Sequence, residues 1–247
     1  MWRNLTLAVV LPTYNEKDSI AECIRQFEAI AEVDEIIVIN NNATPGTSEE
    51  VARTSAREVH EAQQGYGAAI RRGLRETTAD IIAVCEPDGT FEPDDLRKLL
   101  AFMPECDVVV GSRTVATFIW EGANMGFVLR WGNWAVAKLV EVLYNTTSLT
   151  DVGCTFRAMT RAHADAVLDQ AEASGSWFGL EMILVSALGR TRMVQVPVNY
   201  RPRVGRSAVT GDPSKTLVLG LTMIMHVLRL RVRGLRPSPQ RADTLTR

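Results

Sequence analysis

The chain has 247 residues, of which 46% are hydrophobic and 23% are charged. These proportions are typical of a soluble globular protein and exclude a wholly disordered, collagen-like or coiled-coil chain. The formal net charge of -2 argues against a protein whose whole surface binds nucleic acid. The length fits one large domain or two small ones.

Short apolar runs alternate with amphipathic segments over residues 1–113. The runs are continuous and rich in β-branched residues, which is typical of parallel strands buried on both faces. They predict an α/β fold, a doubly wound, mixed and mostly parallel sheet with helices on both faces. The predicted strands are Thr6–Leu11, Glu35–Ile39, Glu58–Val59, Asp80–Cys85 and Asp107–Gly111; the predicted helices are about 20–32 (capped by Ser19), one from Thr47 or Ser48, one after Gly67, and one from Pro93 to about 102.

The pattern changes after residue 113. The second half predicts a long helix, a loop with a strand, a shorter helix, another strand and a last amphipathic helix. In chain order these are Gly126–Tyr144, Thr150–Met159, Gly179–Leu188, Met193–Tyr200 and Lys215–Arg231. Residues 234–247 contain Pro and Arg and are predicted to be a disordered basic tail.

Cysteine usage and charge distribution indicate a compartment and a kind of partner. The four cysteines form no C-x-x-C pair, and we interpret them as reduced thiols of a cytoplasmic protein. Residues 1–4 lead straight into the first predicted strand, so a signal peptide is not expected. Residues 201–247 contain ten Arg and Lys residues against two Asp residues, so this end is predicted to meet an anionic partner. A solvated tail is the alternative.

Polar clusters follow the predicted strands, where ligands bind in such sheets. Glu86 and Asp88 place two carboxylates at a strand end, a pattern that suits a hard divalent cation whose other ligands are water and phosphate. A solvated Asp-Gly turn is the alternative. The glycines of Gly65-Tyr66-Gly67 bring bare backbone to a helix N-terminus, which suits a phosphate or a sugar. The chain lacks G-x-G-x-x-G and a Walker loop, which argues against a dinucleotide site.

Five polar or glycine-containing segments follow one another in the first half of the chain: Leu11–Glu16, Asn40–Thr47, Gly65–Gly67, Glu86–Gly89 and Gly111–Arg113. Their order resembles glycosyltransferase family 2. Two later segments, Asp151–Arg157 and the Arg-rich Tyr200–Ser207, resemble its polyprenyl-phosphate branch, which includes dolichyl-phosphate mannosyltransferase. The resemblance covers about residues 5–230.

The resemblance implies a GT-A fold and an inverting transfer of a sugar from a nucleotide-sugar to a polyprenyl phosphate, assisted by Mg²⁺ or Mn²⁺. It implies one domain over residues 1–233, with a nucleotide-sugar half to residue 113 and an acceptor half after it. The implied site residues are Pro12, Tyr14, Glu16, Asn40, Asn41, Gly65 and Gly67 for the nucleotide-sugar; Glu86 and Asp88 for the metal and the diphosphate; Arg113, Arg130 and Arg203 for the acceptor phosphate; and Asp88, Asp151, Arg113 and Arg203 for catalysis.

The chain departs from the family pattern at four positions. Thr90 stands where some dolichyl-phosphate enzymes have Gln. Asn40 stands where the family usually has Asp, so the base preference does not carry over. Glu86 replaces an Asp and is longer by one methylene. Thr155 stands where Gly is usual.

Several alternatives remain open from the sequence. Leu217–Arg233 is either a core helix or an interfacial helix with arginines at an anionic membrane surface, the latter implying a peripheral protein of the inner membrane face. A same-fold enzyme acting on a saccharide hydroxyl would need a base, for which Asp151 is the candidate. A catalytically degenerate nucleotide-sugar-binding module is the third reading. No nucleic-acid partner is expected, and a homo-oligomer is left open.

Overall fold

The computed structural model describes residues 1–123, 127–205 and 213–235. In these residues seven strands form one sheet in the order β3-β2-β1-β4-β6-β5-β7. The strands are β1 (Leu7–Thr13), β2 (Glu35–Asn40), β3 (Arg57–His60), β4 (Ile81–Val84), β5 (Val108–Ser112), β6 (Arg157–Thr160) and β7 (Met193–Pro197); the helices are α1 (Lys17–Glu28), α2 (Thr47–Val51), α3 (Tyr66–Glu76), α4 (Leu96–Phe102), α5 (Phe127–Tyr144), α6 (Arg161–Gln170), α7 (Phe178–Leu188) and α8 (Pro213–Arg233).

The sheet is mixed and mostly parallel. Strands β1 to β4 are mutually parallel, β5 is parallel to β7, and β6 runs antiparallel to both of its neighbours, β4 and β5. The prediction of a mixed, mostly parallel α/β sheet is therefore confirmed. Because β6 is reversed, the residues that precede it lie at the same edge as the residues that follow β4, β5 and β7.

Two hydrophobic clusters cover the two faces of the sheet. One contains Ile20 and Phe27 of α1 together with Leu99 of α4, and the other contains Leu74 of α3 and Phe178 of α7. Burial on both faces explains why the strands are continuous apolar runs. None of the helices in the described ranges is long and apolar enough to span a bilayer.

Local structure differs from the sequence prediction in two places. Helix α1 begins at Lys17, so Ser19 lies inside it, where its hydroxyl donates to the Pro87 carbonyl oxygen at 2.6 Å. This bond ties α1 to the loop after β4. Helix α6 was not predicted, although Thr160 is an N-cap whose hydroxyl accepts from the His163 amide at 3.3 Å. The predicted tail from residue 236 onward lies outside the described residues.

His163 makes the stability of the fold depend on pH. Its side chain on α6 is buried, with one ring nitrogen 3.1 Å from the Ser186 hydroxyl, and burial lowers its pKa from 6.5 to about 4. Between these values the unfolded chain binds a proton that the folded chain does not. We therefore expect the free energy of unfolding to fall by up to about 3 kcal/mol as the pH drops from about 6.5 to about 4.

Urea titrations over this pH range measure the effect. The His163→Gln variant should lose this part of the pH dependence, whereas a His60→Gln variant, changed at an exposed position of β3, should keep it. Parallel pH profiles for the wild type and His163→Gln would contradict the prediction.

Candidate active site

The loop after β4 presents two carboxylates at the carboxyl edge of the sheet. Asp88 is almost fully buried, and its Oδ1 accepts from the Thr90 amide at 2.9 Å and from the Thr90 hydroxyl at 2.5 Å. Gly89 between them adopts a positive φ of 78°, which a glycine tolerates best. This tight turn fixes Oδ1 and leaves Oδ2 facing the site.

Glu86 and Asp88 converge on one guanidinium nitrogen. Arg203 Nη2 lies 3.0 Å from Glu86 Oε2 and also contacts Asp88 Oδ2, and its Nη1 lies 4.0 Å from Glu16 Oε1. Burial and the neighbouring Asp88 carboxylate raise the pKa of Glu86 to about 8, which Arg203 opposes. The three acidic residues, Glu16, Glu86 and Asp88, thus surround a point that favours positive charge.

This convergence fits a divalent cation with few protein ligands. The two carboxylate oxygens face the same point, as metal ligands must, and they are of the type that Mg²⁺ and Mn²⁺ prefer. Within the described ranges no group of three His, Cys, Asp or Glu residues is placed to hold a metal. A cation here would therefore take its other ligands from water or from a phosphate-bearing substrate.

Arg113 and Asp151 form a buried pair beside the carboxylates. Arg113 Nε and Nη2 donate to Asp151 Oδ2 and Oδ1 at 2.8 and 3.0 Å, and the amides of Arg113 and Gly153 add bonds of 3.0 and 2.9 Å. Burial by itself raises the pKa of Asp151, but Arg113 and these hydrogen bonds hold it below its usual value. A carboxylate engaged in this way is a weak base, and it orients Arg113 firmly.

The segment after β7 runs along the loop that carries Asp88. The Arg201 amide donates to the Thr90 carbonyl at 2.7 Å, and the Val204 amide donates to the Asp88 carbonyl at 2.9 Å. Tyr200, which precedes Arg201, is buried, and the Arg113 guanidinium lies over its ring, 5.3 Å from the ring centroid. Tyr200 thus packs beside Arg113 while the backbone bonds place Arg203 over the carboxylates. No role for Tyr200 was predicted from the sequence.

The segment after β1 is organised by Glu16. Its Oε2 accepts from the amides of Tyr14 and Asn15 at 2.7 and 2.8 Å and from the Thr13 hydroxyl at 3.2 Å. Pro12 is buried within β1, whereas Tyr14 is 45% exposed. Of the residues predicted to line a nucleotide pocket on this segment, Tyr14 therefore has the largest free surface.

Asn40 and Asn41 hold neighbouring loops together. The Asn40 amide donates to Glu58 Oε1 at 2.8 Å, and its oxygen accepts from the Ala43 amide at 2.8 Å. Asn41 donates to the carbonyls of Glu61 and Gln63, both at 2.8 Å. These side chains shape the loops after β2 and β3 and have most of their polar atoms already paired.

The helix N-terminus at Gly65–Gly67 differs from the expectation of a phosphate cradle. The Gly67 and Ala68 amides donate to the Ser174 carbonyl at 2.8 and 3.3 Å, and the Gly65 amide donates to Asn41 Oδ1 at 2.8 Å. The amides of Gly65, Gly67 and Ala68 are therefore already hydrogen-bonded to protein oxygens, whereas the sequence had suggested a phosphate or a sugar as their partner. No sequence signal pointed to Ser174, which is distant along the chain.

Two further arginines, Arg130 and Arg157, have different surroundings. Arg130 lies near the start of α5, and among the described contacts none joins it to Glu86, Asp88, Arg113 or Arg203. Arg157 is buried at the start of β6, where it donates to the carbonyls of Gly179, at 2.9 Å, and Cys154. Its burial lowers its pKa. The family-like segment contained Arg157, but its burial and its two carbonyl partners were not predicted.

Comparison with known proteins places this chain in a family. The model of glycosyl transferase family 2 matches residues 8–168. An uncharacterized glycosyltransferase of Mycobacterium tuberculosis is 30% identical over 209 residues, which are 83% of this chain and 90% of the relative. The chain therefore belongs to glycosyltransferase family 2. Its predicted assignment to this family and its predicted class of enzyme, a glycosyltransferase, are confirmed.

Two other proteins extend the comparison. The undecaprenyl-phosphate mannosyltransferase of Micrococcus luteus is 27% identical over 237 residues, which are 88% of this chain and 93% of the relative. The crystal structure of glucosyl-3-phosphoglycerate synthase from M. tuberculosis with Mn²⁺ and UDP-glucose superposes with a TM-score of 0.71 at 20% identity, over 96% of this chain and 81% of that one. The second likeness confirms the GT-A fold.

Proposed function

We propose that this enzyme transfers a sugar, with inversion, from a nucleotide-sugar to a polyprenyl phosphate. The observation that carries the proposal is the meeting of two oppositely charged sets at one sheet edge: the Glu86–Asp88 carboxylates and the Arg113 and Arg203 guanidinium groups. The name of the M. luteus relative, which includes undecaprenyl phosphate, supports the acceptor class.

The donor side of the proposal rests on the carboxylate pair. We assign Mg²⁺ or Mn²⁺ to Glu86 and Asp88; when bound, such a cation neutralises the departing diphosphate. Asp88 is held by Thr90, so its ligand geometry is set before any substrate arrives. The nucleotide-sugar residues in this assignment are Pro12, Tyr14, Glu16, Asn40, Asn41, Gly65 and Gly67, of which the asparagines and glycines act by shaping the loops.

The acceptor side of the proposal rests on charge. A phosphate monoester is anionic at neutral pH, so its oxygen attacks the anomeric carbon without a strong base as the bond to the nucleoside diphosphate breaks. The lowered pKa of Asp151 makes it a poor base for a hydroxyl acceptor, which favours the phosphate. Arg113 and Arg203 match phosphate geometry, and Arg130 is retained as a further candidate contact.

A transfer assay tests the proposal. UDP-, GDP- and dTDP-sugars are first screened with Mn²⁺ for thermal stabilisation of the protein, because a bound ligand raises the stability of the folded state. The stabilising donor is then incubated, radiolabelled, with undecaprenyl phosphate or with free saccharides. Label in the lipid fraction supports the proposal. Label on the saccharide, or donor binding without turnover to either acceptor, overturns it in favour of the corresponding alternative.

An exposed apolar stripe on α8 supports the proposed contact with an anionic membrane surface. Val218, Leu221, Met225, Leu228 and Val232 recur at helical spacing, and Met225 and Val232 are 67% and 90% exposed. The opposite side of the helix is fixed to the body, since the Tyr144 hydroxyl donates to the Val227 carbonyl at 2.7 Å. The last turns of α8 also carry three exposed arginines, Arg229, Arg231 and Arg233. Apolar and basic groups side by side suit an anionic bilayer interface.

Replacing Leu221, Met225 and Leu228 by serine should weaken binding to phosphatidylglycerol vesicles by at least about tenfold, because each buried methylene contributes about 0.8 kcal/mol to membrane binding. Vesicle sedimentation measures the change. A Phe102→Ser variant, altered at an exposed apolar residue of α4, is the control and should bind as the wild type does. Equal binding by the triple variant would argue against the α8 surface.

A further inference from the structure

Arg203 contacts both carboxylates of the proposed metal site, which binding an acceptor phosphate would not by itself require. Its Nη2 lies 3.0 Å from Glu86 Oε2 and touches Asp88 Oδ2, so one nitrogen occupies the point on which both carboxylates converge. A divalent cation held by Glu86 and Asp88 would be bound by the same two oxygens. The nitrogen and such a cation cannot share this point.

We propose that Arg203 is a stand-in cation for the carboxylate pair, and that a divalent cation binds there by displacing its guanidinium. Arg203 holds Glu86 and Asp88 in a convergent arrangement that their mutual repulsion would otherwise disfavour. Once displaced, the same guanidinium becomes available to an incoming phosphate. The cation and the sugar donor would then bind before the acceptor, in a fixed order. This consequence rests on the proposed function.

The backbone around Arg203 allows the side chain to move without leaving the site. Bonds from Arg201 to Thr90 and from Val204 to Asp88, at 2.7 and 2.9 Å, anchor the segment on both sides of Arg203. The side chain itself is 23% exposed and has several rotatable bonds. Displacement therefore swings the guanidinium about a fixed Cα, within reach of the space between the carboxylates and Arg113.

The stand-in role predicts an effect opposite in sign to that of an ordinary supporting residue. Removing a group that merely braces the metal ligands would weaken metal binding. Removing a competitor for the same oxygens strengthens it. The two cases are separated by measuring the affinity for Mn²⁺ alone.

Mn²⁺ binding is measured by electron paramagnetic resonance of the free ion, with chelator-treated protein and no nucleotide. We expect Arg203→Gln to lower the dissociation constant for Mn²⁺ by about tenfold, which corresponds to about 1.4 kcal/mol. Arg203→Lys keeps the competing charge and should remain near the wild-type value. Arg201→Gln is the matched control, since Arg201 pairs with Glu92 and lies over Trp120 at 4.5 Å, and it should leave the affinity unchanged.

Unchanged or weaker Mn²⁺ binding by Arg203→Gln overturns the inference, and so does equal tightening by Arg203→Lys and Arg203→Gln. A thermal melt of each variant establishes that it is folded. The experiment contains no sugar donor or acceptor. A protein that transfers no sugar but shows the predicted Mn²⁺ affinities would therefore fail the proposed function and keep this inference.

Discussion

The Asp88→Asn enzyme should transfer sugar at least about a thousandfold more slowly than the wild type, since a metal-stabilised leaving group accounts for several kcal/mol of the barrier. The change is isosteric, so the new side-chain oxygen still accepts from the amide and hydroxyl of Thr90, as Asp88 does. What is lost is the negative charge at the oxygen facing Arg203. The rate is measured with saturating donor, Mn²⁺ and undecaprenyl phosphate.

A matched carboxylate outside the site provides the control for Asp88. Asp94 is exposed and pairs with Arg97 at 2.6 Å, and Asp94→Asn should retain the wild-type rate. Near-normal transfer by Asp88→Asn at saturating Mn²⁺ would remove the metal-binding role from the proposed function.

The Asp151→Asn protein should lose about 3–5 kcal/mol of unfolding free energy, because the substitution leaves the guanidinium of Arg113 buried without its countercharge. Asp151 is fully buried and Arg113 nearly so, and the carboxylate makes four hydrogen bonds that the amide only partly replaces. Urea unfolding followed by circular dichroism measures the loss. Transfer should also fall, since Arg113 loses the group that orients it.

The chain contains a solvent-exposed copy of the same pairing geometry. Arg192 Nε and Nη2 donate to Asp107 at 3.0 and 2.7 Å, but the two side chains are 64% and 31% exposed. Asp107→Asn should therefore cost less than about 1 kcal/mol. Similar losses for Asp107→Asn and Asp151→Asn would show that burial does not govern the Arg113–Asp151 pair.

Local patterns predicted most of the fold. Continuous β-branched runs located the strands that are buried on both faces, and the order of the strand-end segments identified the family. Helix α6 was missed because Arg161–Gln170 has a weak apolar stripe, and Ser19 was misassigned as a cap because its interaction with Pro87 lies 68 residues away. Such errors arise where a distant contact decides the role of a residue with an ordinary local context.

The sequence predicted which residues belong to the site better than it predicted what each of them contacts. Glu86, Asp88, Arg113, Asp151 and Arg203 were all selected from the sequence, and the structure brings them to one sheet edge. Gly67 was expected to face a phosphate or a sugar, but its amide donates a hydrogen bond to the Ser174 carbonyl. The catalytic and binding assignments stay predictions, to be decided by the variants above.

The sequence by itself determined the class of fold, the family and the supply of carboxylates and arginines, because periodicity and strand-end composition are properties of short segments. Only the tertiary structure decided which charges face each other. Arg203 meets Glu86 across 117 residues and Arg113 meets Asp151 across 38, because the reversed strand β6 and the parallel strand β7 carry both segments to the same edge. Strand direction and pairing are set by packing of the whole sheet, which no short segment encodes.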